Sequence, residues 1–161
     1  PQDRLALVTL GRAELQWGDA AAGEAALASA LVVAPEDAEA LRLLADARLE
    51  ASDQQQDPTD RSRLIREAQG YLARALDADP TDYRIYATLA RARRGAPDYP
   101  NANDLETWRL AVAFAPQVMR LRQEAAEALT KGGAEAEAAE LLAVVANSPH
   151  GGGRDDPGDT D

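Results

Sequence analysis

The chain has 161 residues, 36 of them alanine, with 17 basic residues against 28 acidic ones, a formal charge of −11 and no cysteine. That length suits one domain or an array of small repeats, and the charge argues against neutralising nucleic-acid phosphates or coating an anionic membrane unless a basic face is segregated. Without cysteine there is no disulfide, thiolate nucleophile or thiolate metal site, one histidine leaves little for metal or acid–base chemistry, and the longest apolar or small run, 25–34, falls well short of the roughly twenty residues that span a membrane.

The sequence opens at Pro1 and its only methionine is Met119, so the chain is expected to be cut from something longer. Aromatic residues make up 4% while Ala, Leu, Glu and Arg abound, which points to an all-α fold packed through small residues. Punctuation at Gly18, Pro35, 52–58, Pro80, 95–100, Pro116 and 132–133 divides the chain into eight helical segments. In chain order the expected helices are 4–17, 20–33, 38–51, 59–78, 83–94, 104–114, 118–131 and 134–147, which read as four hairpins.

Caps support these boundaries. Asp37 and Asp82 each follow a proline by two residues and precede an apolar-periodic run, and Asp57 precedes Pro58. Asn103 with Glu106 has the spacing of a capping box. Gly18, Gly95 and Gly133 sit where a left-handed residue would end a helix.

With Pro35, Pro80 and Pro116 in register, one grammar recurs. The first helices carry a small residue at Gly11, Ala45, Ala90 and Ala126, preceded by Leu10, Leu44, Leu89 and Ala125. The second helices align Gly23, Ala68, Asp104 and Ala138, then Leu27, Leu72, Trp108 and Leu142, then Ala30, Ala75, Ala111 and Val145. This pattern resembles the tetratricopeptide repeat, a helix-turn-helix unit with small residues where helices approach and a bulky residue between them. The resemblance covers roughly 4–149. It implies a right-handed α-α superhelix of four hairpins, units near 4–37, 38–82, 83–118 and 119–149, each too small to be stable alone.

Several positions depart from the pattern. Unit two has about eleven extra residues, best placed in the polar stretch 52–62, and unit three has about two extra near Pro97, Tyr99 and Pro100. Asp104 stands where a small apolar residue is usual, and Arg122 where a bulky one is. The final hairpin is expected to act as a cap, with Pro149 closing it one residue early. The segment 150–161, glycine-rich and then acidic, reads as a disordered tail.

Chemistry is sparse. His150-Gly151-Gly152-Gly153 superficially matches an esterase oxyanion segment, but no G-x-S-x-G elbow, phosphate loop, zinc spacing or calcium loop accompanies it. The expectation is no enzyme, no cofactor and no metal. The resemblance implies that the first helices line a partner-binding face. Its family positions carry Leu5, Val8, Arg12, Leu15 and Gln16; Glu39, Arg42, Asp46, Leu49 and Glu50; Arg84, Ala87, Arg91, Arg94 and Gly95; and Arg120, Gln123, Glu127, Thr130 and Lys131. Seven are basic and four acidic, a surplus of +3 on an acidic protein.

Arg12, Arg42, Arg84, Arg91, Arg94 and Arg120 are therefore the expected partner-binding residues, since convergent arginines suit carboxylates of an acidic peptide. The bland alternative is a solvated face in which Arg42 with Asp46 and Arg120 with Glu124 are ordinary i,i+4 pairs. The carboxylate-clamp subtype of the family is not supported, because Val8 and Arg12 stand where it needs Lys and Asn. Leu5, Val8 and Leu15 offer an apolar anchor site or a surface for a preceding repeat. Trp17, Tyr86 and Trp108 read as packing residues, and Tyr99 either as a loop contact or as a tyrosine covering a helix end.

The function expected is a non-enzymatic protein-interaction module with a protein or peptide partner, no nucleic acid and no membrane insertion. The alternatives are an appendage of a larger bacterial enzyme, for example a peptidase, or an assembly factor such as a cytochrome c maturation subunit. Sixteen arginines to one lysine match a high-GC bacterium, with cytoplasm and periplasm both open.

Overall fold

The structure is a computed structural model and describes residues 3–146, with side chains to residue 143. The expected tail 150–161, His150, Pro149 and the side chain of Val145 lie outside the described residues. Those described form eight helices and no strand: α1 (Arg4–Trp17), α2 (Ala20–Val33), α3 (Ala38–Gln54), α4 (Pro58–Ala78), α5 (Tyr83–Arg93), α6 (Ala102–Phe114), α7 (Met119–Lys131) and α8 (Glu135–Ala146). They divide into two compact units, one holding α1–α5 and the other α6–α8.

Six helices start at an Asx side chain that accepts a hydrogen bond from the first turn: Asp3, Asp19, Asp37, Asp57, Asp82 and Asn101. Each such cap stabilises its helix by about 1 kcal/mol, and the carboxylates also face the positive end of the helix dipole. Part of the acidic composition thus goes to helix starts. The capping box differs from expectation. Asn101, not Asn103, caps α6, accepting from the Asp104 N–H while the Asp104 carboxylate accepts from the Asn101 N–H. This explains a polar residue at a small apolar position: Asp104 is buried, and the cap satisfies its charge.

Of the glycines expected to be left-handed, only Gly133 has a positive φ, 81°. Gly18 does end α1, donating its N–H to the Glu14 carbonyl, whereas Arg94 rather than Gly95 caps α5. The extra residues of the second hairpin do not form a polar loop. They lengthen its helices to 17 and 21 residues and leave only 55–57 between them.

In the first unit the hairpin α1–α2 is held at its closest point by two glycines. A Cβ on Gly11 would lie 2.6 Å from Leu27 Cγ, and one on Gly23 would lie 2.8 Å from Leu15 Cγ and 3.0 Å from the Gly11 carbonyl oxygen. Ala45 and Ala68 take the corresponding places between α3 and α4 and are fully buried. Two cores follow. Val8, Leu27 and Ala30 pack with Ala40, Leu43 and Leu44 of α3, and Leu41, Ala45, Ala68, Leu72 and Ala75 pack with Ile85 of α5. Burial of each such leucine is worth about 1.5–3 kcal/mol. In the second unit Ala126 and Leu129 of α7 pack on Ala138 of α8.

The hairpin ends are tied by a recurring bond. The Tyr86 hydroxyl donates to the Pro80 carbonyl (2.8 Å), and six residues after Pro116 the Arg122 Nε donates to that proline's carbonyl (2.5 Å). Arg122 therefore performs the same tie as the tyrosine one repeat earlier, which accounts for a charged residue at a bulky position.

Several sequence expectations about apolar side chains change. Val8 and Ala87 are buried rather than lining a face, Val8 because α3 packs directly over it. Trp17 is exposed rather than packed, and Leu142 is exposed although it occupies the bulky position of α8.

Gly70, in the interior of α4, has open space where a Cβ would sit, in contrast to Gly23. Gly70→Ala is expected to stabilise the protein by about 0.5–1 kcal/mol, the usual helix-propensity gain. Gly23→Ala is expected to destabilise it by about 1–3 kcal/mol despite the same gain, through overpacking against Leu15. Midpoints of urea unfolding followed by circular dichroism check both signs.

Candidate functional site

The first helices of the first unit, α1, α3 and α5, lie side by side, with α3 touching both neighbours. The stacking of successive first helices brings charged side chains of different repeats together. Arg12 of α1 hydrogen-bonds Glu39 Oε1 of α3, and Arg84 of α5 places Nη1 3.6 Å from that same oxygen. One carboxylate oxygen thus faces two guanidinium groups from two different helices. Arg84 also grips the Asp82 carboxylate with Nε (2.9 Å) and Nη2 (2.8 Å).

A second charge cluster lies along α3. Arg42 Nη1 donates to Asp46 Oδ2 (2.5 Å), and Thr88 of α5 donates to Asp46 Oδ1 (2.9 Å). Arg42 is largely buried; burial lowers its guanidinium pKa while Asp46 opposes that shift. Burial alone would push the Asp82 carboxyl up, but the side-chain and backbone bonds from Arg84 hold it below the usual carboxylate range. The Arg84 pKa is raised, first by its hydrogen bond to Asp82.

Among the six expected partner-binding arginines, Arg12 and Arg84 converge on Glu39, and Arg42 lies on the same helix as Glu39, three residues on. Arg91 and Arg94 stand at the end of α5, Arg91 seven residues from Arg84 and so on the same side of the helix. Arg120 belongs to the second unit, where its exposed side chain bonds Glu124 Oε1 at 3.0 Å. The pairs Arg42–Asp46 and Arg120–Glu124 are both formed, but Arg42 is largely buried rather than solvated.

Asp82, legible in the sequence only as a helix cap, and Thr88 were not recognised as members of this charge cluster, because neither falls on the family's face positions and their partners are two or forty-two residues away. The Arg12–Glu39 pair spans twenty-seven residues. Only a comparison of the Arg12 place in one unit with the Glu39 place in the next would have found it. A further set of ion pairs ties Arg48 of α3 to Glu24 of α2 (2.9 Å) and Glu67 of α4 (3.2 Å). Among the described residues no group of three or more His, Cys, Asp or Glu side chains is placed to hold a metal ion, and no helix is long and apolar enough to cross a membrane.

No protein-family model matches the chain, and no curated protein matches it by sequence. Solved structures do resemble it. A thermophilic TPR protein of Thermus thermophilus, TTC0263, superposes with a TM-score of 0.77 at 20% identity, covering 93% of this chain and 76% of that one. MamA of Desulfovibrio magneticus RS-1 gives 0.65 at 20% identity over 88% and 73%. An O-GlcNAc transferase of Thermobaculum terrenum gives 0.65 at 22% identity over 78% of this chain, which spans only 22% of the transferase. With its all-helical hairpins, the chain has the fold of tetratricopeptide-repeat proteins.

The depressed Asp82 pKa sets a pH dependence. A carboxylate held below its unfolded value adds stability above that value, and the contribution is lost as pH falls through the folded one. Asn still caps a helix but cannot pair as an anion with Arg84. Asp82→Asn is therefore expected to melt below wild type at pH 7, and the gap is expected to close as pH falls below about 4. Thermal melts of both proteins across that range check it.

Proposed function

We infer that this chain is a non-enzymatic protein-interaction module that holds an acidic peptide segment of a partner against α1, α3 and α5. Arg12, Arg84, Arg91 and Arg94 are the contact residues there, whereas Arg42 is largely buried and engaged with Asp46, and Arg120 is a separate contact on the second unit. One observation carries the reading: two half-exposed guanidiniums, Arg12 and Arg84, share a single oxygen of Glu39. Each has more donors than that oxygen can satisfy, so an incoming carboxylate gains charge-assisted, bidentate bonds there.

Glu39 acts in this reading as an internal stand-in for the partner's carboxylate. It keeps the arginines oriented, and it competes with the ligand. The alternative, an appendage of a larger enzyme, is supported by the transferase match, in which the similar region is 22% of a longer protein. The two are compatible, because an appendage of this kind also works by holding a peptide.

The test is fluorescence anisotropy with a labelled Glu/Asp-rich peptide and a Lys-rich control of equal length. Wild type is expected to bind the acidic peptide alone, more weakly as salt rises. Glu39→Gln is expected to tighten binding several-fold by removing the competitor. Arg12→Ala with Arg84→Ala is expected to weaken it about tenfold or more, corresponding to about 1.4 kcal/mol or above. An unchanged affinity in Glu39→Gln together with the double alanine variant would make these arginines a self-satisfied surface.

A further inference from the structure

Ser29, Thr107 and Thr130 lie within helices, and each turns its hydroxyl back onto the carbonyl four residues earlier, those of Ala25, Asn103 and Ala126. That is the usual bond of a serine or threonine inside a helix, where a backbone acceptor is already within reach. Thr88 departs from it. Its hydroxyl donates to Asp46 Oδ1 at 2.9 Å, forty-two residues away on α3, and the residue is only 2% exposed.

This bond joins two of the helices that carry the arginine cluster. Glu39 and Asp46 are seven residues apart on α3, and Arg84 and Thr88 are four apart on α5, so each pair lies on one side of its helix. Two polar contacts thus join α5 to α3. One is the approach of Arg84 Nη1 to Glu39 Oε1, long at 3.6 Å and made by a half-exposed side chain. The other is the Thr88–Asp46 bond, shorter and buried at its donor. Around them Ile85 packs on Leu41 and Ala45. Apolar burial presses α5 against α3 without fixing direction, whereas a hydrogen bond weakens steeply as its angle departs from linear. The acceptor is itself held, because Arg42 Nη1 donates to the other oxygen of Asp46.

We propose that Thr88 is a positioning residue of the acidic-peptide site: its hydrogen bond to Asp46 sets α5 on α3 in the register that brings Arg84 to Glu39, and so beside Arg12. The proposal rests on the reading of Arg12 and Arg84 as contacts of a partner carboxylate. Thr88 is buried and acts through Arg84 rather than on the ligand. Without its bond α5 keeps its apolar contact with α3 but is freer to turn and slide, and the two guanidiniums converge less well before the partner arrives.

The test compares Thr88→Val, which keeps the shape and removes the donor, with Thr88→Ser, which keeps the donor. Thr88→Val is expected to bind the labelled Glu/Asp-rich peptide about three- to tenfold more weakly than wild type, the worth of one net hydrogen bond. Thr88→Ser is expected to stay within about twofold of wild type, since the bond survives. In an Arg84→Ala background Thr88→Val is expected to change affinity by less than about twofold, because a residue that works through Arg84 then has nothing left to position. A second readout needs no peptide. The Arg84 Nε–Hε cross-peak in proton–nitrogen correlation spectra is expected to move on Glu39→Gln, and to move much less when Thr88→Val is also present. Helical circular dichroism is expected to be unchanged throughout; should Thr88→Val lose helicity, Thr88→Ala takes its place. An undiminished movement of that cross-peak in the Thr88→Val background overturns the proposal, as does a loss of affinity equally large with and without Arg84. If wild type ignores the peptide, the reading of Arg12 and Arg84 as contacts fails, and the cross-peak alone decides whether Thr88 sets the register.

Discussion

Everything in this protein depends on how closely the two helices of a hairpin can approach. Where α1 meets α2, the Gly11 and Gly23 backbones come so near that even a methyl group would collide with Leu15 or Leu27. Alanines do the same in α3–α4, with Ala45 and Ala68 fully buried. Close approach brings Leu27 and Leu72 against the next first helix, and that contact completes each core. No single hairpin has enough apolar surface to fold alone; the neighbour supplies it.

Charge is organised by the same repetition. The excess of acid is partly structural, since five aspartates cap helices and accept the first-turn N–H groups that would otherwise lack partners. On α1, α3 and α5 the repeat places Arg12, Glu39 and Arg84 in line, so that one carboxylate bridges two arginines of different helices. An arrangement of exposed ion pairs adds little to stability. In the proposed reading its value lies in orientation, because Arg12 and Arg84 are both held at Glu39 in advance, and preorganisation of that kind lowers the entropy cost of binding.

The sequence alone determined the helices and their order. Small residues, prolines and capping aspartates recur at fixed spacing, and each is a local signal whose effect is felt within one turn or one hairpin. For that reason the starts at Asp37, Asp57 and Asp82 were legible, as was the repeat register from Gly11 to Ala126. The six arginines could be named as candidates from the same register.

Tertiary structure decided what those residues touch. Asp104 was an anomaly until the cap at Asn101 showed what its buried carboxylate does, and Arg122 until its bond to the Pro116 carbonyl showed it repeating the role of Tyr86. Val8 counted as a face residue until α3 covered it, and Leu142 counted as core although no described helix covers it. Arg12 and Glu39 are twenty-seven residues apart, and their meeting depends on the stagger of one hairpin against the next. Helix formation is encoded by neighbours in the chain, whereas burial and ion pairing are set by neighbours in space. Only the packing of hairpin on hairpin brings the second kind together.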